Sequence, residues 1–223
     1  MIDAIINISE ITKGMKSVGA KALLKINNTS IIEHQINQLK SINRNIKINI
    51  ITGFEHEKIK KTLSKYRNIN IIYNKQYETT NQSMGLKLLF ENKKNIEKLF
   101  WLSSGVLFKP KSIANASTKK QSKIFLLDKP KNNFNLGCSN TETIEYIFYD
   151  LPCVWSECLF LNEEATNKLR NMLGSYNISQ MFFFELVNKL ISNNITLQHE
   201  KIAKSKVIKI NTVKDLPKIK RFI

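Results

Sequence analysis

The chain has 223 residues, 42% of them hydrophobic, and 35 Lys and Arg against 18 Asp and Glu, for a formal net charge of +17. That supports one good-sized core or at most two small ones, and no apolar run approaches the roughly 18 residues of a membrane span. Cys138, Cys153 and Cys158 form no disulfide framework, and with the scattered His34, His56 and His199 they form no zinc motif.

"MIDAIINISE" has no basic region and no cleavage pattern, so secretion is not expected, and a reduced cytoplasmic setting is the expectation. The charge has two readings. One is a polyanionic partner. The other is compositional: Lys, Asn and Ile are abundant throughout, and the lysines are spread along the chain. Aromatic RNA-recognition motifs are absent, which weighs against nucleic acid as a partner.

Regular elements alternate along the first half. Asp3 to Ile8 reads as a short buried strand. Ser30 to Ile42 begins with a Ser N-cap and carries Glu33 three residues on, a capping box. Its Ile32, Ile36 and Leu39 fall at helical spacing. Lys47 to Thr52 is β-branched and strand-like; Glu55 to Tyr66 is a polar helix; Ile69 to Asn74 is a third strand. Gln82 to Asn92 is a helix, and Lys98 to Ser104 is the fourth strand. This β-α-β-α-β-α-β order predicts a mostly parallel sheet covered by helices on both faces.

After Pro110 the strands crowd together: Ser122 to Asp128, Thr143 to Asp150 and Cys153 to Leu161. Asn162 to Leu173 and Ser179 to Ser192 are helical. "ITLQHEKI" and "KVIKI" are late strands. Thr212 to Ile223 closes the chain as a helix or helical turn, with Thr212 a cap and Asp215 at the third position after it. No flexible linker and no internal repeat interrupts the chain. The expectation is one domain over residues 1–223 with a small antiparallel insertion.

The carboxyl end of a strand in an open α/β sheet is where ligands and reactive groups sit. At the end of the fourth strand stand Ser103, Ser104 and Gly105, with no acid among them.

Five segments in order, "KALLKINNTSIIEHQINQL", "IITGFEHEKIK", "IIYNKQYETTNQSMGL", "LSSGVLF" and "IKINTVKDLPKIKRF", resemble the nucleoside-triphosphate transferases that act on sugar phosphates and phosphocholine. The resemblance spans nearly the whole chain. It implies a Rossmann-like α/β fold, an NTP and a phosphorylated small molecule as ligands, and Mg²⁺ as the family's cofactor. In that family the acceptor phosphate attacks the α-phosphate in line and pyrophosphate leaves, which calls for Mg²⁺ and basic groups.

The resemblance carries over residue by residue. The phosphate loop falls on "NISEITKGMKSVGAKALL", with Gly14 and Gly19 its only glycines and Glu10 where a small residue is expected. Lys21 matches the motif's lysine and is the first candidate for the chemistry; as a residue alone it reads equally as a surface lysine. Lys13 or Lys16 stands in for the loop's arginine, without its bidentate grip on phosphate. Two positions that ligate Mg²⁺ in the family are Gly105 and Asn211 here, and Tyr149 stands where a lysine is common.

Among acids that border the acceptor side, Glu185 matches an acidic position and is the second catalytic candidate. Asp128, Asp150 and Glu157 read as solvated or salt-bridged surface acids. Asn81 and Ser83 are candidates for base or ribose contacts, with a plain helix-start role as the alternative, and Ser103 and Ser104 complete the nucleotide-side set. Mg²⁺ is normally held by one or two carboxylates plus substrate phosphates. The expectation is therefore a nucleotide-binding relative with impaired catalysis. Two alternatives stand beside it: an active enzyme with a rebuilt metal site, and a basic nucleic-acid-binding module.

Overall fold

A computed structural model describes residues 1–113, 120–139, 142, 144–174 and 178–223. Strand β1 (Ile2–Ile8) leads to a small hairpin, β2 (Lys25–Ile26) and β3 (Thr29–Ser30), and then to α1 (Ile31–Ile42). Next come β4 (Lys47–Thr52), α2 (His56–Leu63), β5 (Ile69–Tyr73), α3 (Gln82–Asn92) and β6 (Lys98–Ser103). The second half holds β7 (Val106–Phe108), β8 (Lys123–Leu127), β9 (Leu136–Cys138), β10 (Phe148–Tyr149) and β11 (Cys153–Leu161). It closes with α4 (Glu163–Met172), α5 (Phe183–Ser192), β12 (Gln198–Ile202), β13 (Val207–Lys209) and α6 (Leu216–Phe222).

The main sheet runs β10-β9-β11-β6-β1-β4-β5. β6, β1, β4 and β5 are parallel, and β11 joins them antiparallel to β6. β8 pairs antiparallel with β11 and parallel with β12, and β13 pairs with β7 in a separate two-stranded ladder. The fold is the expected α/β sheet with an antiparallel extension.

β1 is buried along its whole length, as a parallel strand covered on both faces must be. Its alternate residues feed different cores. Ala4, Ile6 and Ile8 pack with Ile32, Ile36 and Leu39 of α1. Ile5 packs on the opposite face with Leu86 and Leu89 of α3 and Leu186 and Leu190 of α5. There Trp101 stacks on Phe183 at 4.0 Å and on Trp155 at 5.6 Å, tying α5 to β6 and β11. The capping box at α1 is formed: Ser30 Oγ accepts from Glu33 N, and the Glu33 carboxylate accepts from Ser30 N at 2.8 Å.

Three expectations are corrected. Of Thr143 to Asp150, only Phe148–Tyr149 is strand, and Thr143 lies outside the described residues. The Asn188 side chain takes both backbone groups of Ile147, donating to its carbonyl and accepting from its N–H, so a side chain replaces a ladder there. The helix expected from Ser179 begins at Phe183, because the Ser179 and Met181 carbonyls accept from the backbone of Asn81 and Ser83. The helix expected over Glu55 to Tyr66 runs only from His56 to Leu63.

Candidate functional site

β1 and β6 end side by side, with Asn7 opposite Ser103. Their carboxyl ends open into a cleft of about 160 Å³. Asn7 sits at its base, donating to Gln82 O at 3.1 Å and accepting from Ser9 N and Oγ. Gly85 permits this approach of α3, since a β-carbon there would lie 2.6 Å from Asn7 Nδ2. The Lys21 side chain enters from the loop after β1 and donates to Ser104 O at 3.2 Å. Lys209, at the end of β13, enters from the other side with Asn211. A larger hollow of about 750 Å³ lies at the opposite, amino end of β1, β4 and β5, around Met1, Lys47 and Ile69. The chemistry-bearing residues converge in the smaller one.

Two carboxylates line this cleft. Glu157 is 4% exposed and pairs with Lys209. It lies where the register of β11 against β8 shifts between Trp155 and Leu159, and its φ of +58° is in the left-handed region. Trp155 Nε1 donates to Cys158 O at 2.9 Å across this irregularity. Glu10 stands at the rim; the protein around it raises its carboxyl above the usual range, opposed by Lys21 and by a hydrogen bond from Gln82. Burial lowers the Lys21 ammonium to about 8, with Lys209 adding to the drop and Glu157 and Glu10 opposing it.

The expected site residues separate into groups. Lys21, Ser103, Ser104 and Asn211 come together in the cleft. Lys13, Gly14 and Lys16 are exposed on the loop after β1 and do not line it. Asn81 Nδ2 donates to Gln180 O at 2.6 Å, and Ser83 Oγ donates to Met181 O at 2.5 Å, so both side chains hold the segment before α5. Glu185 lies in the first turn of α5 and accepts from Phe182 N at 2.6 Å, outside the cleft. Asp128 accepts from Lys204 N at 2.7 Å, outside the cleft.

Carboxylates reach the cleft from outside the family's metal positions, Glu10 from the loop after β1 and Glu157 from β11. Glu157 is salt-bridged, as expected, but it is buried and not on the surface. Lys209 was also missed; it ends β13 two residues before Asn211. Nothing in the pattern of "CVWSECLFL" marks Glu157, because its backbone breaks the alternation.

Neither of the two positions that would ligate Mg²⁺ supplies a carboxylate. A β-carbon at Gly105 would lie 2.9 Å from Ile210 O and 3.1 Å from Lys21 Cε, and φ there is +77°. The Asn211 amide donates to Asn133 O at 3.0 Å. Among the described residues, no group of three or more His, Cys, Asp or Glu could hold a metal ion.

No protein-family model and no curated protein matches the chain. Solved structures do. The chain superposes on CTP:phosphocholine cytidylyltransferase from Streptococcus pneumoniae with a TM-score of 0.77 at 18% identity, covering 99% of this chain and 98% of that one. The fold is that of the nucleotidylyltransferases. The inositol-1-phosphate CTP transferase from T. maritima gives 0.78 at 15% identity, over 99% and 94% of the two chains. A putative glucose-1-phosphate thymidylyltransferase from Bacillus anthracis gives 0.77 at 15%, with the same coverage. On this nucleotidylyltransferase fold, the cleft lies where a doubly wound sheet receives ligands. No described helix is long and apolar enough to cross a membrane.

Proposed function

We propose that the chain, acting as one unit in the cytoplasm, binds an NTP and a phosphorylated small molecule, a sugar phosphate or phosphocholine. In this reading it is catalytically impaired in nucleotidyl transfer. One observation carries the reading: two lysines, Lys21 and Lys209, meet in a cleft at the carboxyl ends of β1 and β6, while positions 105 and 211 offer no carboxylate. Ammonium groups and backbone amides suffice to bind phosphates. Transfer asks for more, because charge moves to the departing pyrophosphate and must be neutralised as it develops.

The cleft is small beside the roughly 300–1,000 Å³ of organic-ligand pockets, so it takes phosphates, and the rest of a nucleotide lies on the rim. Lys13, Gly14 and Lys16 then belong to the loop that closes on the phosphates. Asn81 and Ser83 act on the nucleotide through the position of α3, and Glu185 faces the acceptor side.

A second reading, an active transferase whose divalent cation is held by other acids, is favoured by the two carboxylates Glu10 and Glu157 in the same cleft. Pyrophosphate release separates the two. With Mg²⁺, each common NTP and a panel of sugar phosphates and phosphocholine, the first reading predicts none. Robust release that is lost in Lys21→Met would establish the second.

A further inference from the structure

We infer that the ammonium group of Lys21 takes the place of a divalent cation in this cleft, so that an NTP binds without metal. The inference rests on the reading that the cleft takes an NTP. The Lys21 stem lies over Gly105, with Cδ and Cε 3.3 and 3.1 Å from where a β-carbon would be. The space that a side chain at residue 105 would need therefore already holds a lysine. The glycine and the lysine fit each other: any side chain at 105 would displace the stem, and the left-handed φ favours glycine there.

The Lys21 ammonium is held by a backbone carbonyl, Ser104 O, and not by a carboxylate. An ammonium group has three donors, so Ser104 O leaves donors over for a phosphate in the cleft. At 211 an amide replaces the other metal position, and its N–H₂ group is turned to Asn133 O. A fixed monovalent charge thus stands where positions 105 and 211 supply no carboxylate for a divalent one.

The acids of the cleft have a defined part in this arrangement. Glu157 on β11 pairs with Lys209 on β13, and Glu10 at the rim acts on Lys21. In the absence of ligand, Glu157 is the partner of Lys209. A triphosphate competes with it for Lys209, so removing its charge should tighten binding. If Glu10 and Glu157 instead gripped a metal, removing that charge would loosen binding. The two arrangements have opposite signs.

Calorimetric titration of the full chain with CTP, UTP, dTTP, ATP and GTP tests this, in EDTA and again in excess MgCl₂. At least one NTP is expected to bind in EDTA at least as tightly as in MgCl₂, because Mg²⁺ on the triphosphate competes with the Lys21 ammonium for the same oxygens. Loss of a charge-assisted contact typically costs about ten- to hundredfold. Lys21→Met and Lys21→Gln should each weaken binding by that amount in EDTA, with far-ultraviolet circular dichroism and melting showing a folded chain. Glu157→Gln should tighten it. Binding that requires Mg²⁺, or is lost in Glu157→Gln, overturns the inference and leaves the nucleotide site standing. No binding of any NTP in either condition overturns the proposed function itself.

Discussion

Lys209 and Glu157 form an ion pair across the cleft, and Glu157 takes a left-handed backbone conformation, φ +58°, to make it. For a residue with a β-carbon, that conformation costs about 1–2 kcal/mol. Removing one partner of a buried pair costs more, because the other charge is left without compensation.

Glu157→Ala should therefore lower stability by about 2–4 kcal/mol. Glu157→Gly should lower it by roughly 1 kcal/mol less, since glycine accepts the left-handed conformation freely. Urea denaturation of the two variants checks this order. A glycine variant less stable than the alanine variant would show that the backbone at 157 carries no strain.

Gly105→Asp sets a side chain against Ile210 O and the Lys21 stem at a φ of +77°. A loss of about 2–4 kcal/mol is expected from the conformation and the displaced lysine together. Asn211→Asp replaces a donor to Asn133 O with a second acceptor, at about 1–3 kcal/mol. The double variant restores both acids and should still release no pyrophosphate. Recovery of turnover would show that only the metal ligands had been lacking.

The parallel half of the sheet was legible because its strands are covered on both faces and read as continuous apolar runs, as in "AIINI" and "KINIIT". The start of α1 was legible because Ser30 and Glu33 satisfy each other's neighbouring backbone locally. The residues from Ile144 to Asp150 were not legible, since the backbone of Ile147 is satisfied by Asn188 from a helix 41 residues away. The cleft divides the same way. Ser103 and Ser104 stand at the end of a strand that reads as a continuous apolar run, whereas Lys21, in the turn Lys21–Leu23, is marked only by its place in the motif. Glu157 reaches the cleft only through a break in β11, which nothing in the local pattern announces.

Glu33 supplies an acid-sensitive term. Burial alone would raise its carboxyl, but Lys65 and Ser30 outweigh burial and hold it at about 2, below the ordinary 4.5. A folded-state pKa below the unfolded one contributes stability that is present above about pH 4.5 and lost as pH falls toward 2. Glu33→Gln should cost on the order of 2 kcal/mol at pH 7 and flatten that acid limb. Denaturation curves between pH 2 and 7 decide it; parallel limbs in wild type and variant would contradict the assignment.

Lys21 supplies the opposite term. Burial, then Lys209, lowers its ammonium to about 8 from 10.5, so the folded chain gives up this proton before the unfolded chain does. Charge on Lys21 therefore costs stability below about pH 8, and that cost is relieved as pH rises from 8 to 10.5. Lys21→Met should be the more stable protein at pH 7, with its advantage shrinking over that interval. NTP affinity should fall above pH 8 in the wild type and stay flat in Lys21→Met. A wild-type affinity that is level through pH 9.5 would show that Lys21 does not face the phosphates.

A crystal structure of the chain with a bound NTP, grown in the presence of Mg²⁺, tests the central claim most directly. The account predicts the triphosphate between the Lys21 and Lys209 ammonium groups, with Glu157 released from Lys209 and no metal ion at residues 105 and 211. Magnesium held by Glu10 and Glu157 beside the α-phosphate, or a nucleotide bound elsewhere on the surface, would contradict it.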